Sequence, residues 1–445
     1  MSGQPVLLSP EDVFQYLEGF LNLERGGYEP REYRLERMEK LLNDFDNPQL
    51  AYPVMHVAGS KGKGSVSTYA TSCLHETGMR VGTYLSPHVS SYRERIQLSG
   101  VAPGSSYEEL VVSAGRTIQE YVQELSSQGV TSALPTTFEL LTLLSFLVFR
   151  AAEVDAAVIE VGLGGRLDAT NLVKPQVCVI THIELEHTDY LGNTLQSVAR
   201  EKGGIIKPGV PVVLAPQSDD VNQILRGIAD ERGCRVIRTD RDVVDCGPMD
   251  LGGNEVTIRY SDGFLVKTHL RAPGRIHAVN AATAVAAVRV MLPGISPDAV
   301  ASALGRTWLP GRAEVLPGPP PILLDGAHTP SSVAAVAEAT AAIEPDREKR
   351  VLIFGAVEGK NHRAMIETLI STFPKIIVSK PGTFKPSDTE GLTRLCQDAG
   401  GECLLKDDMG DAIAHARSLD PGIIVVTGSF YLVGEARSVL AGEES

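Results

Sequence analysis

Residues 59–65 read Gly-Ser-Lys-Gly-Lys-Gly-Ser and stand between a β-branched run, Val54-Met55-His56-Val57, and a helical pattern over 65–76. Glycine at 59, 62 and 64 lets the backbone turn its N–H groups into one small space, toward which the following helix points its positive dipole end. A strand that enters a helix through such a loop is a β-α unit. The next apolar run, 81–85, is then a strand returning parallel to the first. Further runs at 156–161, 177–181 and 210–214 repeat the pattern, each followed by polar or helical sequence, as in a parallel sheet covered by helices.

Between 254 and 270 the pattern becomes two alternating runs joined by Ser261-Asp262-Gly263, which predicts a β-hairpin. Alanine-rich helices follow at 277–291 and 297–304. Leu309-Pro310-Gly311 and the proline-rich run 316–321 then interrupt every regular pattern. Strands resume at 322–324, 351–354, 376–378 and 423–426, with helices between them. The expected fold is α/β: an N-terminal P-loop parallel-sheet domain over 1–305 carrying a small antiparallel sheet, a linker over 306–318, and a C-terminal Rossmann-like doubly wound domain over 319–445. The most apolar stretch, 140–149, contains Thr142 and Ser145 and ends at Arg150, which reads as a buried helix too short to span a bilayer.

With 445 residues, 43% of them hydrophobic, the chain can build at least two cores, which excludes disorder as the dominant state. A net charge of −14, with its Lys and Arg scattered, argues against a nucleic-acid footprint, so an anionic substrate must be caught locally. The six cysteines include no C-x-x-C pair, which points away from a disulfide framework or a thiolate zinc site. The first residues lack the basic and apolar regions of a signal peptide, so a cytoplasmic protein is expected.

In the 59–65 loop, Lys63 can reach β- and γ-phosphates and Ser65 a phosphate or its ion. The spacing is shorter than G-x-x-x-x-G-K-[ST] and puts a glycine between lysine and hydroxyl, so a generic kinase or GTPase is not indicated. Glu160 ends a central strand, Ser86 follows the strand 81–85, and His187 follows the strand 177–181. All three therefore sit at the edge where α/β sheets open their ligand crevices, and together they suggest a Mg²⁺ site. Singly, each has an ordinary reading: a surface histidine, a cap before Pro87, an ion-pair partner for Arg166. The run Gly162-Leu163-Gly164-Gly165-Arg166-Leu167 puts leucine where G-x-G-x-x-G needs glycine, and His182-x-Glu184-x-Glu186-His187 fits neither zinc-protease order. Lys202 reads by default as a solvated helix-end lysine.

Motifs from about residue 28 to 437 resemble those of the folylpolyglutamate synthase/dihydrofolate synthase branch of the Mur-type ADP-forming amide ligases. They include HVAGSKGKGS (56–65), LSPHVSSYRERIQLSG (85–100), EVGLGGRLDATNL (160–172), HTDYLG (187–192), DGAHTP (325–330) and TGSFYLVGEAR (427–437). The resemblance implies that Gly59, Ser60, Lys61, Gly62, Lys63, Gly64 and Ser65 hold ATP, together with Asn280, Arg312, Asp325 and His328. Ser86, Glu160 and His187 would hold Mg²⁺, with a monovalent cation as a further expected ion. Thr136, Thr137, Phe138 and Glu139, with Leu167, Asp168 and Ala169, would line a pteroate pocket. Lys202 matches a lysine that is carbamylated in relatives (N6-carboxylysine). Lys63, His187, Lys202 and His328 are the expected catalytic residues.

The implied reaction joins L-glutamate to dihydropteroate, to the γ-carboxylate of a folate, or to both, through an acyl phosphate. A Mur-type ligase acting on another carboxylate is the alternative. The implied partners are ATP, glutamate and a pteroate or folate, with a monomer and no nucleic acid or membrane. The chain departs from the family in three places. Thr181-His182-Ile183-Glu184-Leu185-Glu186-His187 replaces the usual T-N-I-G-x-D-H, Ser60-Lys61 replaces Thr-Asn, and Thr329 replaces the asparagine of D-G-A-H-N-P. The first adds carboxylates near the expected metal.

Overall fold

The computed structural model describes residues 5–22, 35–101, 104–129, 134–382 and 385–443; residue 28, where the motifs begin, lies outside them. Its N-terminal sheet comprises β1 (Val54–Ala58), β2 (Val81–Tyr84), β3 (Ile96–Ser99), β4 (Ala156–Glu160), β5 (Val177–Ile180), β6 (Val212–Leu214) and β7 (Val236–Arg238). The order across it is β3-β2-β4-β1-β5-β6-β7, all parallel except β3. β1 lies at the centre, with Val57 paired to Glu160 on one side and to Val179 on the other. Burial on both faces explains why these strands read as unbroken apolar runs.

Alternate residues feed different cores. Met55, Val57, Val158 and Val179 pack against helices Lys63–Glu76, Arg275–Met291 and Pro297–Arg306, while Val54, Ala157 and Ile159 pack under helix Thr137–Ala151. That helix covers the expected buried stretch, and residues 137–149 are almost all enclosed. No described helix is long and apolar enough to cross a membrane.

A three-stranded antiparallel sheet, β8 (Val243–Asp250), β9 (Gly253–Arg259) and β10 (Leu265–Leu270), flanks this layer. The predicted hairpin is β9–β10; β8 is an additional strand. The C-terminal sheet comprises β11 (Glu314–Leu316), β12 (Ile322–Asp325), β13 (Arg350–Phe354), β14 (Lys375–Val378), β15 (Glu402–Leu405) and β16 (Ile423–Thr427). Its order is β11-β12-β16-β13-β14-β15, parallel except for β11. Leu323, Leu352 and Val425 face one helical layer, and Leu324, Ile353 and Val426 face the other, so this sheet is wound on both sides. β11 falls inside the stretch expected to be linker.

Cys396 of helix Thr389–Asp398 and Cys403 of β15 lie side by side across a tight turn. The other four cysteines are free.

Several contacts join the two halves of the chain, and two polar ones stand out. Arg437 of helix Phe430–Glu443 donates to Ser90 Oγ (3.0 Å), pairs with Glu94 (3.4 Å) and buried Glu314 (3.4 Å), and lies over the Trp308 ring. On the other side, Ser331 Oγ, in the first turn of helix Pro330–Ile343, donates to both carboxylate oxygens of Glu184 at 2.8 and 2.9 Å.

Candidate active site

The C-terminal ends of β1, β4 and β12 open on one cleft of about 480 Å³. Its first wall is the glycine loop. Gly59 has φ +149°, and a Cβ there would fall 1.8 Å from Thr181 Oγ1, so the loop leaves β1 in direct contact with the end of β5. Ser60 and Lys61 donate backbone N–H bonds to His182 O at 2.9 and 3.0 Å. Gly62, with φ +86°, precedes helix Lys63–Glu76, and a Cβ on it would lie 2.4 Å from Asn280 Oδ1. Asn280 is therefore packed directly on the loop. The Lys63 ammonium folds back to Gly59 O at 3.0 Å.

The second wall brings Ser86 and Glu160 together. Glu160 is buried, and its Oε2 accepts the Ser86 N–H at 3.3 Å. Burial raises its carboxyl pKa, opposed by the nearby charges of Lys63 and Arg312. The Ser86 hydroxyl is also buried and has no hydrogen-bond partner. An orphaned hydroxyl beside a buried carboxylate is the donor set a hard divalent cation takes. His187 lines the same cleft and retains an exposed edge, yet surrounding protein bulk lowers its pKa to about 4, leaving the neutral imidazole that a metal ligand requires.

The third wall comes from the linker and the C-terminal sheet. The Arg312 guanidinium stacks 4.9 Å over the Phe430 ring and stands against Gly64, where a Cβ would lie 2.6 Å from Nη2. Asp325 accepts the N–H groups of Ala313 (2.7 Å) and Ala327 (2.8 Å), and burial raises its pKa to about 6. His328 Nδ1 bonds Gly326 O at 2.8 Å, which places its proton there. Nε2 is then the acceptor facing Lys61 Nζ at 3.3 Å. Burial and the Lys61 charge lower the His328 pKa to about 3.

The residues expected to line a pteroate pocket divide by role. Phe138, Leu167 and Ala169 form apolar wall. Thr136 and Glu139 also line the cleft but are engaged as the capping box of helix Thr137–Ala151, and Glu139 is paired with Arg37 at 2.8 Å. Asp168 accepts from Leu163 N and from Thr170 N and Oγ1, holding the turn after β4. Gly59, Thr137 and Lys202 are not on the cleft surface: Thr137 Oγ1 bonds Leu17 O and Phe20 O.

Lys202 lies behind the loop, 2% exposed, and donates to Gly59 O at 2.9 Å and Glu186 Oε1 at 2.7 Å. Burial lowers its pKa to about 8. It is thus not the solvated lysine that sequence position alone suggested. The added carboxylates are likewise engaged, Glu186 with Lys202 and Glu184 with Ser331, and Thr329 contacts Ser332 Oγ at 2.9 Å at the start of the next helix.

Sequence reasoning missed several cleft residues. Lys360 follows β13 and Lys385 lies before helix Thr389–Asp398, and both bring positive charge. His277 lies one turn before Asn280 with a buried, unpartnered Nδ1 and a pKa lowered to about 4 by burial and Arg312. In the sequence it is indistinguishable from a helix-core histidine. Basic residues in the loops after strands, outside the recognised motifs, were the available signal for the lysines.

Comparison with known proteins gives the family. The Mur ligase middle domain model matches residues 57–288, and the Mur ligase glutamate ligase domain matches 311–430. Folylpolyglutamate synthase of Lacticaseibacillus casei is 30% identical over 98% of this chain and 99% of its own length. Dihydrofolate synthase/folylpolyglutamate synthase of Mycobacterium tuberculosis is 30% identical over 98% and 96%. A probable bifunctional folylpolyglutamate synthase/dihydropteroate synthase of Halobacterium salinarum is 34% identical over 94% of this chain, which spans only half of that protein's length. Among solved structures, M. tuberculosis folylpolyglutamate synthase complexed with ADP superposes with TM-score 0.86 at 28% identity, covering 97% and 98% of the two chains. An FPGS–AMPPCP–folate complex gives 0.82 at 27% identity, covering 97% and 99%. From the cleft, the two Mur ligase matches and these near full-length relatives together, the chain belongs to the folylpolyglutamate synthase/dihydrofolate synthase family of Mur ligases.

Proposed function

We propose that this chain is an ATP-dependent, ADP-forming ligase that joins L-glutamate to dihydropteroate, to the γ-carboxylate of tetrahydrofolate, or to both, through an acyl phosphate. One observation carries the reading. A single cleft combines the cations and N–H groups a triphosphate needs with an apolar wall of Phe138, Leu163, Leu167 and Ala169 suited to a flat heterocyclic acid. The barrier is dominated by charge, because a carboxylate must attack an already anionic γ-phosphate. In this reading residues 59–65 cradle the phosphates and Lys63 leaves Gly59 O for the γ-phosphate. Asn280 and Asp325 hold the nucleoside end, and Arg312 adds positive charge from the linker.

Ser86, Glu160 and His187 would hold Mg²⁺, which supplies charge neutralisation on the phosphates, with a monovalent cation beside it. Thr136, Thr137, Phe138, Glu139, Leu167, Asp168 and Ala169 shape the acceptor pocket, Thr137 and Asp168 by holding its backbone. Lys360 and Lys385 suit the carboxylates of incoming glutamate. His328, neutral and accepting at Nε2, orients the attacking amine; a base with pKa about 3 retains few protons near neutral pH, so holding the amine suits it better than deprotonating it. Keeping water from the anhydride requires the two halves to close about 306–318.

Lys202 is proposed as the carbamylated residue. Its lowered pKa leaves more free amine to react with CO₂ than an ordinary lysine has, and the resulting carbamate would displace the Glu186 carboxylate now paired with it. Intact-protein mass with and without bicarbonate tests this: no added CO₂ removes the assignment. The protein is proposed to act as a cytoplasmic monomer.

The decisive experiment incubates purified protein with ATP, Mg²⁺ and glutamate plus either dihydropteroate or tetrahydrofolate, and reads products by mass spectrometry. One glutamate on the first, a series on the second, or both defines the activity. No acceptor-dependent ADP with either sinks the proposal, and activity only with another carboxylate would favour a different Mur-type substrate. Lys63→Ala should abolish ADP release.

A further inference from the structure

At the β7 edge of the N-terminal sheet, a second cavity of about 470 Å³ shares no lining residue with the catalytic cleft. Five arginines border it: Arg226 from helix Asp219–Glu231, Arg235, Arg238 and Arg241 around β7, and Arg289 near the end of helix Arg275–Met291. Such a gathering runs against a chain of net charge −14.

Two of these arginines are fixed in place. Arg238 is held by both carboxylate oxygens of Asp240. Arg289 bonds Asp262 at 2.6 Å and lies 4.1 Å over the Phe264 ring. Arg226, Arg235 and Arg241 make no side-chain hydrogen bond or ion pair with any described residue. The acids on the rim are already engaged, Asp262 by Arg289 and Asp242 by the Ser261 N–H at 3.1 Å. Guanidinium groups repel one another across a concave surface unless an anion lies between them, and their planar pairs of donors match phosphate oxygens.

We propose that this cavity binds a chain of phosphates, with Arg238 and Arg289 as fixed contacts and Arg226, Arg235 and Arg241 closing on the ligand. The cavity falls in the volume range of small-molecule sites, and several separated cations suit a linear polyanion better than one monovalent ion. Helix Arg275–Met291 links the two cavities, with Asn280 at one and Arg289 at the other, about 14 Å apart along its axis.

The test is calorimetric titration of inorganic tripolyphosphate, and separately of ATP, into full-length Lys63→Ala protein, in which the catalytic phosphate contact is weakened. One equivalent of tripolyphosphate should bind, and Arg235→Ser/Arg241→Ser in the same background should weaken it at least tenfold. Arg241→Lys, which keeps the charge but loses the paired donors, should lie between. Binding of ATP with the same arginine dependence would identify the phosphate chain of a nucleotide as a ligand; binding of tripolyphosphate alone would identify a free polyphosphate. Absence of tripolyphosphate binding, or binding indifferent to the arginine substitutions, overturns the proposal. These side chains are exposed, and unchanged melting of the variants verifies that folding is intact.

Discussion

Replacing Ser86 with alanine should stabilise the protein without its metal–nucleotide ligand and lose that gain when the ligand is bound. The Ser86 hydroxyl is buried and unpartnered, whereas its backbone N–H, which donates to Glu160, survives the substitution. A buried hydroxyl without a partner costs about 1–3 kcal/mol. Deleting it leaves a space of roughly 15 Å³, worth about 0.4 kcal/mol. Relief exceeds the cavity cost, so in EDTA the variant should be more stable by about 1–2 kcal/mol, a rise in Tm of about 1–3 °C. With Mg²⁺ and ATP that gain is cancelled. Loss of one oxygen donor should weaken nucleotide binding at least tenfold, about 1.4 kcal/mol, and raise the KM for ATP accordingly. Thermal melts in EDTA and in saturating Mg²⁺–AMPPCP, with ADP release against ATP concentration, measure both halves. A variant that melts below wild type in EDTA, or that keeps the wild-type KM, refutes the reasoning that this hydroxyl is held in reserve for a cation.

Gly59→Ala should cost about 3 kcal/mol or more, because the new methyl overlaps Thr181 in a backbone region unfavourable for L side chains; wild-type melting would contradict this. Glu184→Ala should change stability by less than about 1.5 kcal/mol yet raise the share of ATP hydrolysed without product, since it frees Ser331 across the cleft; an unchanged ratio of ADP to ligated product counts against that contact's role in closure. Asp325, with its pKa raised to about 6, is charged above that pH and neutral below it, so the KM for ATP should climb as pH falls through 6, and Asp325→Asn should flatten that limb. For folding the sign is opposite: a carboxyl raised above its unfolded pKa of about 3.8 contributes stability at low pH that is lost as pH rises through 6. Melts of wild type and Asp325→Asn from pH 4 to 7 should diverge in that window, and parallel curves would show that the carboxylate is not strained by burial.

Legibility in the sequence followed burial and locality. β1, β4 and β5 are apolar along their whole length because both faces are covered, and the glycine loop announces itself within seven residues. β8 and β15 alternate exposed and half-buried positions, and β7 is half-buried throughout, so charge and turn residues mask them. That Ser86, Glu160 and His187 line one cleft with Lys63 follows from strand ends alone, since parallel sheets bring those ends to one edge. What the sequence concealed was pairing at a distance. Glu139 meets Arg37 from 102 residues away and Glu184 meets Ser331 from 147, so neither pairing has a local signature. His277 was hidden differently: only the packed helix reveals that Nδ1 lacks a partner.

The two junctions between the sheets differ in how far each must travel. Arg437 grips Glu314, on the connecting strand itself, together with Ser90 and Glu94, and a clasp beside the axle of a rotation is scarcely displaced. Glu184 and Ser331 stand on the opposite rim, next to Lys61 and His328, where the same rotation sweeps its widest arc. Under the proposed closure, separation of the halves would unzip from the Glu184 rim while the arginine clasp stays fastened, and the mouth would open in one preferred direction. Spent nucleotide would leave past Lys61, and Glu184 and Ser331, which touch neither reacting group, would set its departure rate.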